Sequence, residues 1–312
     1  MKKREDFAVN LRKKKKDSII KEKRKRFMRG ISSQNQPPVA AIYRCCPLFT
    51  DEKGKGEIQT VQNIVSQHIP GIVLRCDAHQ TPEELIVQVD KIVSELVNPE
   101  TKLQSTEQLA LVAAVRMHLD TLAGLQDPRA RSIFQVTQIQ RFIQAALAVA
   151  TQQLRTCSEK EPQHQIAYCL GCEIAWILCN LACFDGFVAQ QFVQPQLESP
   201  GVWSEQPTIY FEFAQKMLCE GDESQKELML WLLSNCIPDS ASLGKMLIEK
   251  LGYLDILFKI SDQEKLKKEV LQSLLWNLNQ LAKHRLIVGK DAVATARICT
   301  ASLNISNLEI QY

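Results

Sequence analysis

Hydrophobic and polar positions divide the chain into stretches of different character. From Lys2 to Arg29 charged residues dominate, with Leu11, Ile19, Ile20 and Phe27 set among them and no Pro or Gly before Gly30. This stretch is competent to form a helix. Its apolar content is too sparse to bury against a core, so alone it is expected to be only partly ordered. Gly30 to Pro38 (GISSQNQPP) is a linker by composition. Between 39 and 80, Pro47, Gly54, Gly56, Pro70 and Gly71 interrupt short apolar runs and leave the segment poorly defined. From Thr81 onward the pattern is helical almost without a break. Thr81-Pro82-Glu83-Glu84 carries a hydroxyl cap, Pro in the first turn and acids favoured by the helix dipole. No alternating strand pattern of useful length follows, so the expected fold class is all-α. The expected organisation is a basic arm at 1–30, a linker and poorly defined segment at 31–80, and a helical array over 81–312.

The helical part repeats. EIAWILCNLACFD (Glu173–Asp185), ELMLWLLSNCIPDS (Glu227–Ser240) and SLLWNLNQLAKH (Ser273–His284) place Trp176, Trp231 and Trp276 at intervals of 55 and 45 residues. These intervals approach the ~40–47 residues of HEAT and armadillo repeats, with an insertion stretching the first. The Pro/Gly-rich stretch Pro195–Pro207 is where that insertion is expected, as a loop. Gln138–Leu147 and Leu251–Ile260 read as short apolar helices, each ahead of a tryptophan helix.

On a wheel of about 100° per residue, the tryptophan helices show two faces. Around Trp176, residues Leu170, Ile174, Ile177, Leu178 and Leu181 form an apolar arc expected to face the core. Cys169, Cys172, Cys179, Asn180 and Cys183 cluster on the tryptophan's own side. Trp231 behaves likewise, with Asn235 one turn on and Asp239 a further turn on. Met229, Leu232, Leu233 and Cys236 take its core side. A stacked array lines up such equivalent positions along one surface. Asn amides there can pair with the backbone of an extended peptide, and indole faces can pack the stem of Lys or Arg. The plainer role for each Trp is to fill space between repeats.

Charge changes the picture. Residues 1–30 hold fourteen Lys/Arg and four Asp/Glu, a net of +10, whereas residues 31–312 hold 24 and 31, a net of −7. A basic arm on an acidic body implies an acidic partner for the arm, or a fold-back onto the body. Phosphate attracts such an arm non-specifically, but the acidic body argues against nucleic acid as a specific partner. The eleven cysteines are scattered and no signal-peptide pattern opens the chain, so a reducing compartment is expected. Ile166–Phe184 is long enough to span a bilayer, but Glu173 near its middle would cost about 3 kcal/mol in lipid, and a buried repeat helix explains the same run. Four cysteines spaced along that one helix cannot converge tetrahedrally on zinc, so no metal or other cofactor is expected. No nucleophile–base pair, phosphate loop or paired catalytic carboxylates emerge, and no enzymatic activity is expected.

These residues resemble the importin-alpha family. Lys2–Phe27 is similar to its importin-beta-binding domain, notably at Leu11–Asp17 and at the basic cluster Lys23–Arg26. Glu227–Ile260 resembles the family's third armadillo repeat, and Trp176/Asn180 and Trp276 then match the second and fourth. The resemblance implies a right-handed armadillo solenoid of about four repeats. It implies a groove for basic nuclear localisation signals made of Trp176, Asn180, Trp231, Asn235, Trp276 and Gln280, with Asp239 pairing the key signal lysine. Importin-beta would be held by Arg12, Lys13, Lys14, Lys15, Lys16, Lys21, Lys23, Arg24, Lys25 and Arg26. It further implies basic cargo peptides as partners, no membrane, autoinhibition by the chain's own tail, and residence in cytoplasm and nucleus. The chain departs from the pattern in three places. Gln280 stands where the fourth repeat should offer Asn. Ala-Cys-Phe-Asp-Gly follows Asn180 in place of a small turn. The repeats are fewer than the family's full array, so its second signal site and its exportin-binding end are expected to be absent.

Two functions of different class follow. One is a nuclear-import adaptor. The other is a structural armadillo scaffold that binds a fixed protein partner and lacks import activity.

Overall fold

The chain divides into two compact units, Met1–Ala40 and Ala41–Tyr312. The computed structural model describes residues 56–74, 80–125, 133, 137–156, 162–184, 187–193, 197–199, 202–203, 208–262, 268–289, 291, 293 and 295. All belong to the second unit, and the basic arm, with its ten expected importin-beta-binding residues, lies outside them.

The described residues form helices α1 (Gly56–His68), α2 (Pro82–Val97), α3 (Ser105–Leu125), α4 (Thr137–Thr156), α5 (Pro162–Phe184), α6 (Phe187–Val193), α7 (Ile209–Cys219), α8 (Glu223–Cys236), α9 (Ala241–Leu251), α10 (Tyr253–Ser261) and α11 (Lys268–Lys283). A 3-10 turn, Ile237–Asp239, follows α8. The all-α expectation holds apart from a short antiparallel hairpin, Leu197–Ser199 with Val202–Trp203, inside the insertion expected as a loop.

Helix starts are written in local chemistry. Thr81 Oγ1 accepts from Glu84 N at 3.3 Å, and Thr81 N donates to Glu84 Oε2 at 2.9 Å, which closes a capping box on α2. Asp222 does the same for α8, accepting from Gln225 N at 2.9 Å. Its second carboxylate oxygen accepts from the Tyr168 hydroxyl of α5 at 2.6 Å, so one cap also fixes α8 against its neighbour. Gly252, at φ +65°, takes the left-handed conformation that ends α9 and opens α10.

The helices pack in two layers. α3, α5, α8 and α11 stack in sequence to form one. α2, α4 and α7 run along the other, and α2, α4, α7 and α10 each pack on the long helix that comes next. Gln138–Leu147 and Leu251–Ile260 fall within α4 and at the end of α9 with α10, ahead of the tryptophan helices as their pattern predicts.

The poorly defined segment gains structure within residues 56–74, where Val61 and Val65, one turn apart, bury α1 against α3. The Gln62 side chain donates to Ile72 O at 2.7 Å and accepts from Leu74 N at 2.8 Å, fixing the segment that leaves α1. The sides of α5 and α8 that carry Trp176 and Trp231 are not open. The expected core residues of α5 are buried, but so are Cys169, Cys172, Cys179, Asn180 and Trp176. The reason is stacking: α5 is enclosed by α3, α4 and α8, and a helix hydrophobic all round belongs in an interior. Of the membrane-length window Gln165–Ala182, 83% is buried inside the protein.

Candidate functional site

The stacked helices carry the ladder expected from sequence, and each rung is a pair of residues four apart. Rung two is Trp176/Asn180 on α5, rung three Trp231/Asn235 on α8, and rung four Trp276/Gln280 on α11. The first rung, Arg116/Asp120 on α3, has neither Trp nor Asn and was missed by the sequence reading.

Side-chain contacts tie each rung to the one before it. Asp120 Oδ1 accepts from Trp176 Nε1 at 2.5 Å and from Asn180 Nδ2 at 2.6 Å. Asp120 Oδ2 accepts from Arg116 at 2.9 Å. Arg116 also donates through Nε to Glu173 Oε2 at 2.8 Å, one turn before Trp176. Trp176 and Trp231 meet edge to face, with ring centroids 4.7 Å apart and planes at 77°. Such a pair contributes about 0.5–1.5 kcal/mol beyond its burial. Trp276 Nε1 donates to Ser234 O of α8 at 2.9 Å. Beside it Asn277, absent from the expected set, donates to Leu230 O at 2.9 Å and to Ser273 O at 2.8 Å.

This arrangement leaves little of the expected groove residues at the surface. Trp176 and Trp231 are only 6% and 5% exposed, and Asn180 and Asn235 only 2% each. Gln280 is buried as well. The indoles fill space between helices, which is the plainer role weighed from sequence, and the Asn180 amide is already spent on Asp120. Trp276 is the half-buried exception, and even there Lys283 Nζ sits 5.6 Å from the ring centroid. Asp239 is exposed in the 3-10 turn after α8, at the ladder's edge as expected.

The electrostatics are those of an interior. Burial pushes the Glu173 carboxyl well above the usual range, and the Arg116 guanidinium opposes that push. Glu173 Oε1 and Trp231 Nε1 are buried without a hydrogen-bond partner. His118, buried on α3 with no partner at Nε2, is pushed down to about 4 by desolvation. Burial likewise raises the Cys172 thiol. Among the described residues no cluster of three or more His, Cys, Asp or Glu side chains could hold a metal. The missed residues left one sequence signal: Glu173 inside an apolar helix demands a cation, and Arg116 sits one repeat back.

No family model matches the chain, and no curated protein matches it. Among solved structures, the crystal structure of an engineered protein is similar over 86% of this chain and 97% of that chain, at 13% identity and a TM-score of 0.42, a likeness too loose to assign fold or function.

Proposed function

We propose that the chain is a protein-interaction scaffold of the armadillo type, a right-handed solenoid of about four repeats related to importin-alpha. In this reading the tryptophan ladder is part of the core and is not an open groove for localisation signals. The observation that carries it is Asp120, which holds both the Trp176 indole N–H and the Asn180 amide within one hydrogen-bond length. A signal peptide would have to break these bonds and separate packed helices, and neither cost is offset by new apolar burial. Partners would instead meet the basic arm and the exposed edges of the repeats.

An import adaptor is the second reading. The arm favours it, with a net of +10 in thirty residues and the Leu11–Asp17 pattern, and so does the exposed carboxylate of Asp239. Titration of a lysine-rich signal peptide separates the two, since capture of importin-beta by the arm is compatible with both. The scaffold reading predicts no saturable peptide binding tighter than about 100 µM. Binding at about 1 µM that Asp239→Lys abolishes would establish the adaptor instead.

A further inference from the structure

We propose that residues 41–49 of the chain dock on an apolar patch at the start of the helical array, formed by Val73 and Val87. The inference is independent of how the tryptophan ladder is read.

Two elements build the patch. Gln62 on α1 holds Ile72 O at 2.7 Å and Leu74 N at 2.8 Å, so both neighbours of Val73 are tied to α1. Ile72 and Leu74 are buried, and Val73 between them is 44% exposed. Val73 N donates to Gln88 Oε1 at 3.1 Å, which sets this segment against α2 one residue on from Val87. Along α2, Leu85, Val89, Ile92 and Val93 are buried, and Val87 stands on the outer side at 52% exposed. A lone surface valine needs no explanation. Two on elements bonded to each other make a patch whose covering releases water.

The occupant is the stretch of chain just ahead of α1. Residues 41–49 (AIYRCCPLF) carry one charge, Arg44, and end on Leu48 and Phe49. The compact unit that holds α1 begins at Ala41, so this stretch belongs to the helical unit and not to the basic arm. Residues 50–55 (TDEKGK) have no apolar side chain and join Phe49 to Gly56 as a tether that spans up to about 20 Å. Gln62, which holds the neighbours of Val73, lies about 9 Å along the α1 axis from Gly56. Leu48 and Phe49 are therefore within reach of Val73. So short a tether also gives them a local concentration that a second copy of the chain cannot match.

The test is limited trypsin digestion of full-length protein, with the rate of cleavage after Arg44 read by mass spectrometry from fragments that begin at Cys45. Docking shields that bond. Val73→Asp with Val87→Asp is expected to speed the cleavage about tenfold. Leu48→Ser with Phe49→Ser, which alters no described helix, should speed it by a similar factor. Combining the two pairs should add less than about twofold, because each removes the same contact. Val288→Asp, at an exposed valine beyond α11, should leave the rate within about twofold of wild type. A rate unchanged by both pairs overturns the docking. So does acceleration by one pair alone, or acceleration by both that multiplies when they are combined. Light scattering covers the remaining occupant: a dimeric wild type that the valine pair makes monomeric, with the Arg44 rate unchanged, overturns the docking in favour of a second copy on the patch.

Discussion

Asp120 and Asn180 are joined at 2.6 Å, carboxylate to amide, although they stand sixty residues apart on stacked helices. The same Asp120 oxygen takes the Trp176 indole N–H, so one carboxylate oxygen holds a donor from each member of the second rung. Arg116 holds the other oxygen and reaches Glu173, which makes the first rung a charged clamp on the second.

Removing that carboxylate should be felt across two helices. Asp120→Ala strands the indole N–H, the amide and one Arg116 donor, and should cost about 2–4 kcal/mol. Asp120→Asn keeps an acceptor and should cost less. Urea unfolding reads both, and an unchanged midpoint for Asp120→Ala would show that the clamp contributes nothing.

The Arg116–Glu173 pair predicts a pH dependence with a definite sign. Burial raises the Glu173 carboxyl in the folded state, so folding takes up a proton there and stability falls as pH rises above about 4.3. Arg116 opposes that loss in the wild type. Arg116→Ala should therefore cost about 3–5 kcal/mol near neutral pH and less in acid, and Glu173→Gln in the same background should remove the dependence. A pH-independent loss on Arg116→Ala contradicts the pairing.

His118 works in the opposite direction. Its folded value, about 4 against an ordinary 6.5, means that the folded state binds fewer protons. Its contribution is complete above 6.5 and is lost as pH falls through 4, to a total of about 3 kcal/mol. His118→Leu should flatten this acid limb in denaturant midpoints taken between pH 7 and 4. An unaltered limb would assign the acid loss to other groups.

Much of this was legible in the sequence. Thr81-Pro82-Glu83-Glu84 named a helix start, and the spacing of Trp176, Trp231 and Trp276 named three stacked helices in phase. What the wheel could not say was which faces are covered. It treats a helix as having one neighbour, whereas α5 has α3, α4 and α8 around it, so Trp176 and Asn180 are enclosed on the side expected to be open. Asp120 escaped notice because it shares no residue type with the ladder. α1 escaped because Pro and Gly flank a helix of only thirteen residues.

The arm makes a prediction independent of the ladder. With its net charge of +10 and the Leu11–Asp17 pattern, it is expected to bind importin-beta. Changing Arg12, Lys13 and Lys16 to Glu should abolish capture and leave the thermal unfolding of the helical unit unchanged. Capture by the triple variant that persists at high salt would rule out a charge-driven contact.

The most direct measurement of a closed ladder is calorimetric titration of a lysine-rich localisation-signal peptide into full-length protein carrying Glu at Lys23, Arg24, Lys25 and Arg26. These changes remove any competition from the arm, so only the helical unit decides the outcome. A closed ladder predicts no saturable heat up to about 100 µM peptide, with or without the arm's charges. Saturable binding at about 1 µM, lost on Trp231→Ala or Asp239→Lys, would contradict it and show that the rungs open to a peptide.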